Sequence, residues 1–119
     1  MDETVRIEIL QLPVGNVIAK EIQTRGPEGK FHLRLSGQVA YRPPDDGKEW
    51  PAGQSIEVFV AAAEAWNKYC DDVITAKTDQ DELAIVDRLR TRLNELDLLQ
   101  DAETGYWALA LTQAQDGLL

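Results

Sequence analysis

One cysteine and one histidine are the only soft or near-neutral titrating side chains in this chain of 119 residues. The single thiol, Cys70, excludes an intramolecular disulfide, and Cys70 with His32 cannot furnish a zinc site even with carboxylate help. No apolar run approaches the ~20 residues that a bilayer-crossing helix needs. The opening Met1-Asp2-Glu3-Thr4 lacks the basic and then apolar segments of a secretory leader, so the expected compartment is the cytoplasm. Positive charge is also scarce. Twelve Lys and Arg face 21 Asp and Glu, for a net charge of −9. Such a field repels phosphates and anionic lipid, which argues against nucleic acid or membrane as a direct partner and favours a basic protein surface.

What is present belongs to one folded unit. The 44% hydrophobic and 28% charged fractions are those of a globular domain rather than a disordered chain, and the length fits a single domain over residues 1–119. The two halves differ in charge. Residues 1–60 carry 9 acidic and 7 basic side chains, whereas residues 61–119 carry 12 and 5.

They differ in period as well. Thr4 to Leu10 alternates, with Val5, Ile7 and Ile9 on one side and Arg6 and Glu8 on the other, which predicts a half-buried strand. A second strand is expected from Asn16 to Thr24 and a third from Lys30 to Leu35, with Phe31, Leu33 and Leu35 inward and His32 and Arg34 outward. Gly26-Pro27-Glu28-Gly29 between them is a turn signal, so the pair reads as an antiparallel hairpin. Gln38 to Arg42 is a short fourth strand. Pro43-Pro44-Asp45-Asp46-Gly47 then predicts the end of the sheet and a loop over 43–54.

Beyond that loop the period becomes helical. Ser55 is a suitable N-cap for a helix from Ile56 to about Ala76, with an apolar stripe of Ile56, Phe59, Val60, Ala63, Trp66, Cys70, Val73 and Ile74. Thr78 caps a second helix, Asp79 to about Leu98, with Leu83, Val86, Leu89, Leu93 and Leu96 buried. A third begins near Thr104 and runs toward Gln115, stopped by Gly117. Strands followed by helices over 55–116 define an α+β class: a mostly antiparallel N-terminal sheet of about four strands, with three helices packed on one face. The other face stays at least partly solvated and displays Arg6, Glu8, His32 and Arg34.

Catalytic constellations are absent from this pattern. His32 reads as a surface histidine. Cys70 lies on an apolar stripe, where a thiol packs as a small hydrophobe, and Asp71 and Asp72 beside it would raise its pKa rather than activate it. Asp45-Asp46-Gly47 lacks the alternating carboxylates of a calcium loop. The scattered glycines build no phosphate cradle. The reading is a protein without catalytic residues, metal or cofactor.

Two features point to binding. Asp71 and Asp72 sit near the C-terminal end of the first helix, where the helix dipole disfavours them, and only Lys77 is expected nearby to offset them. The next helix opens with Asp79, Asp81 and Glu82, so five carboxylates gather about one turn, suited to a basic surface. The second feature is Trp50, in the Pro-bounded segment Lys48-Glu49-Trp50-Pro51; tryptophan is favoured among interface anchors.

From Gly37 onward the chain resembles an actinobacterial branch of the SUKH superfamily of immunity proteins. The resemblance rests on Gly37-Gln38-Val39-Ala40-Tyr41, the Pro44-Asp45-Asp46-Gly47 turn followed by Trp50, and the helix start Ser55-Ile56-Glu57-Val58-Phe59-Val60. It continues through Ala65, Trp66 and Tyr69, then Arg88-Leu89-Arg90, Gly105-Tyr106-Trp107-Ala108 and the terminal Asp116-Gly117-Leu118-Leu119. It departs where Gly53-Gln54-Ser55 replaces an expected Asn-Ser-Ser, and in a shortened N-terminal region without helices before the sheet. The resemblance implies an α+β domain of a bacterial cytoplasm that binds and neutralises a cognate toxin domain. The alternative is an accessory or structural subunit that binds a larger enzyme or self-associates, so a homo-oligomer remains open.

Overall fold

The computed structural model describes residues 6–9, 17–22, 29–43, 47–99 and 105–116. Five strands, β1 (Arg6–Ile9), β2 (Val17–Ile22), β3 (Lys30–Leu33), β4 (Val39–Arg42) and β5 (Trp50–Gly53), precede three helices, α1 (Ile56–Thr75), α2 (Asp79–Glu95) and α3 (Tyr106–Asp116). The sheet is an antiparallel meander in the order β1-β2-β3-β4-β5. The architecture is therefore the α+β class expected.

The fifth strand corrects the expected loop over 43–54. Pro51 pairs with Ala40 and Trp50 with Tyr41. A proline is tolerable because β5 is an edge strand, where a missing N–H need not break a ladder. The register shifts between Val39↔Gly53 and Ala40↔Pro51, so Ala52 is a bulged extra residue. Its carbonyl accepts the indole Nε1–H of buried Trp107 at 2.6 Å. Gly53 allows a close approach: a Cβ there would lie 3.0 Å from Phe59 Cβ, so Phe59 would have to shift to admit one.

Register sorts the two sheet faces. Ile9↔Ala19, Ala19↔Phe31, Phe31↔Tyr41 and Tyr41↔Trp50 make one cross-strand row, and its members pack into or against the helix-covered core. A second row, Glu8↔Lys20, Lys20↔Lys30 and Lys30↔Arg42, lies on the outer face. A bulge at Ile18 in β2 turns two successive residues, Ile18 and Ala19, into the core. Of the side chains expected outside, Glu8 and Arg34 are exposed, His32 is half-buried, and the side chain of Arg6 lies outside the described residues.

Leu35 is not inward as the alternation predicts; it is fully exposed. The strand ends at Leu33. Arg34 N–H donates to Gln38 O at 2.8 Å and Gly37 N–H to Arg34 O at 2.9 Å, closing a hairpin turn over 35–37. Gly37 supplies the positive φ of 93° that this turn needs, and Leu35 sits at its tip, beyond the alternating register.

Both long helices begin at the caps read from the sequence. Ser55 Oγ accepts Val58 N–H at 3.2 Å, and Thr78 Oγ1 accepts Asp81 N–H at 3.1 Å. The buried side of α1 is Phe59, Ala62, Ala63, Trp66, Tyr69 and Cys70. Val60 and Val73 are half-buried at the edge of this side, and Ile74 is exposed. α2 buries Ile85, Val86, Leu89 and Leu93, with Leu83 outward, and it stops at Glu95 rather than Leu98. The stop is a Schellman closure: Leu98 N–H donates to Leu93 O at 3.0 Å and Asp97 N–H to Asn94 O at 3.1 Å, with Asp97 at φ 58°. α3 buries Tyr106, Trp107, Ala108, Ala110, Leu111 and Ala114, while Gly117 lies outside the described residues.

Candidate functional site

The turn between α1 and α2, over residues 76–78, carries the acidic residues singled out above, and they do not behave as one group. Asp72 is drawn inward along the helix pair. Its Oδ2 lies 3.4 Å from Lys68 Nζ and 4.0 Å from Arg88, so the expectation that only Lys77 offsets these charges is corrected. The cause is geometric: Lys68 is one turn back on α1, and antiparallel α2 brings Arg88 alongside. Asp81 Oδ2 accepts the Lys77 backbone N–H at 3.3 Å and so helps to close the turn. Glu82 is half-buried; burial of Tyr69 first, then Cys70, and least the charge of Glu82 hold the Tyr69 hydroxyl above the usual tyrosine range. Asp71 and Asp79 are exposed.

Two apolar side chains flank this acidic turn in solvent. Ile74, in the last turn of α1, is 71% exposed, and Leu83, in the second turn of α2, is 61% exposed. Sequence periodicity assigns both to buried stripes. Their exposure leaves apolar surface beside carboxylates.

Trp50 belongs to β5 rather than to an open loop, and it is half-buried against the core. Beside it Glu49 accepts Arg34 Nη2 at 2.7 Å and Arg42 Nη2 at 2.9 Å. These two hydrogen bonds, Arg42 foremost, hold the Glu49 carboxyl below its ordinary pKa. This pairing ties the three strands β3, β4 and β5 on the outer face.

Both sheet edges resist strand addition. The side-chain amide of Asn67, on α1, acts as a substitute peptide group for β1: its Oδ1 accepts Ile7 N–H at 2.9 Å and its Nδ2 donates to Ile7 O at 2.8 Å. At the opposite edge Pro51 removes a donor from β5. An incoming strand would find the Ile7 groups already satisfied. The helical layer and the outer sheet face are the broader surfaces of the fold.

Sequence reasoning misses two further arrangements. One is buried Glu21, whose Oε1 accepts Tyr41 Oη–H at 2.8 Å and Gly29 N–H at 3.2 Å, and whose Oε2 accepts Tyr106 Oη–H at 2.7 Å. In sequence it stands between Lys20 and Ile22, and only its same-face spacing from Ala19 could have flagged it. The other is a groove of about 350 Å³ between α1 and α2, lined by Ala65, Tyr69 and Leu89 and rimmed by Lys68, Arg88 and Arg92. Its sequence signal is the i, i+4 spacing of Ala61 with Ala65 and of Arg88 with Arg92.

Among the described residues no group of three or more His, Cys, Asp or Glu could hold a metal ion, and no helix is long and apolar enough to cross a membrane. Cys70 is completely buried in the core. His32 is half-buried, with its Nε2 shielded from solvent. No known family, curated protein or solved structure matches the chain.

Proposed function

We propose that this protein works by binding another protein, and that its partner is a bacterial toxin domain with a basic surface, which it holds inactive as an immunity protein. The observation that carries the reading is the α1–α2 turn. There the exposed apolar side chains of Ile74 and Leu83 stand next to exposed Asp71 and Asp79. Apolar surface supplies contact area, and carboxylates select and steer a cationic partner. The net charge of −9 extends that steering over the whole molecule. The motifs that resemble SUKH proteins, from Gly37 onward, point to the same class of task. A cytoplasmic bacterial setting and the lack of a cofactor belong to this reading.

The test is growth rescue. Cells producing a candidate basic toxin domain are made to co-express this chain, and the purified pair is titrated calorimetrically. The expected result is rescue with a stoichiometric complex. In the Asp71→Lys, Asp79→Lys variant, association should slow by about tenfold or more at low salt and lose most of its salt dependence. Rescue without a physical complex, or association kinetics indifferent to these substitutions, would overturn the reading.

A further inference from the structure

We infer that the groove between α1 and α2 is a docking site for an acidic amphipathic helix of a partner protein. The groove runs along the helix pair and shares only Asp72 with the acidic group at the α1–α2 turn, and the inference stands whether or not toxin neutralisation is correct.

Its shape comes from small side chains. Ala61 and Ala65 on α1 leave a trough beside Ile85 and Leu89 of α2, with Tyr69 in its wall. The α1 lining positions run from Ala61 to Asp72, about three helical turns or roughly 16 Å. That length matches the i, i+4, i+7 apolar anchors by which a helix is read in a groove. Strand addition is disfavoured by the Asn67 cap and by Pro51.

Charge selects the occupant. Residues 61–119 carry only five basic side chains, and Lys68, Arg88 and Arg92 line this one trough. The side chains of Lys68, Arg88 and Arg92 are 72%, 67% and 49% exposed, so they stand up around the apolar floor. The acids of the lining are Glu64 and Asp72. Asp72 lies 3.4 Å from Lys68 and 4.0 Å from Arg88, and Arg92 meets Glu95 at 3.4 Å, solvent-exposed contacts with which an incoming carboxylate can compete. An apolar side chain flanked by carboxylates satisfies floor and rim together. A lysine-flanked one would place like charges against Arg88 and Arg92.

The test uses isotope-labelled full chain and two helical peptides of about 15 residues. Each has leucines at i, i+4 and i+7; one is flanked by glutamates and the other by lysines. The glutamate peptide should shift the amide resonances of Lys68, Tyr69, Leu89 and Arg92, and the lysine peptide should not. Arg88→Glu with Arg92→Glu should weaken binding at least about tenfold. Ala65→Leu, which fills the floor without touching the charges, should weaken it as well. Absence of binding, shifts elsewhere, or equal affinity for the lysine peptide would overturn the inference. So would a concentration-dependent dimer of the chain alone that Arg88→Glu dissolves, since the groove would then belong to a second copy.

Discussion

Glu21 shows how one residue can join distant parts of the chain. It lies in β2, yet its carboxylate accepts from Tyr41 in β4 and from Tyr106 at the start of α3. Gly29 is needed for this geometry, since a Cβ there would overlap the Tyr41 ring. Burial, then the charge of Glu21 and the bond to it, push the Tyr106 hydroxyl well above its usual pKa. A raised folded-state pKa contributes stability that is fully present below the unfolded value of about 10 and lost as pH climbs through the folded one. Tyr106→Phe keeps the ring but strips Oε2 of its donor, and should cost about 1–3 kcal/mol in urea unfolding at pH 7. It should also flatten the alkaline fall in stability. Asp97, at φ 58°, offers a change of the opposite sign. Asp97→Gly removes the left-handed strain at the α2 stop and should raise stability by about 1 kcal/mol.

At the scale of elements, local chemistry placed the helix starts and tertiary packing placed several ends. Ser55 and Thr78 are legible as caps because a short side-chain oxygen can reach an orphan N–H without help from the rest of the fold. Thr78→Ala should therefore destabilise by about 1 kcal/mol, measurable as a lower urea midpoint. β5 was not legible. Its proline and its bulge read as a break, and only the neighbouring β4 supplies the ladder that makes four residues a strand. The outer tie between Glu49, Arg34 and Arg42 has a defined pH dependence. The carboxyl's pKa is depressed in the fold, so its contribution is present above the unfolded value of about 4.3 and disappears as pH falls through the folded one. Glu49→Gln should lower Tm slightly at pH 7, by less than about 1 kcal/mol in stability, with the difference from wild type vanishing in acid.

Across the whole molecule the charges separate by layer. The outer sheet face presents Lys20, Lys30, Arg34 and Arg42 against Glu8 and Glu49, whereas the helical half carries most of the excess negative charge. The basic partner proposed above should therefore approach at the α1–α2 turn rather than along the basic-rimmed groove, and its association should slow as salt rises toward physiological strength. Raising salt from low ionic strength should reduce the association rate of the wild type more than that of Asp71→Lys, Asp79→Lys. Stopped-flow mixing reads that difference directly.

Composition and periodicity by themselves determined the α+β class, the hairpin of β2 and β3, the helix caps and the excess of negative charge. Each of these follows from neighbours a few residues apart or from a sum over the chain. Tertiary structure alone decided which apolar residues stay in solvent. Three- and four-residue steps count Ile74 and Leu83 into helical stripes, but the packed faces of α1 and α2 are centred on other residues and leave both uncovered. It also decided that Asp72 faces Arg88, that Asn67 seals β1, and that alanines on α1 meet arginines on α2 as a groove. Those contacts join residues brought together by chain folding, and a one-dimensional pattern carries no term for them.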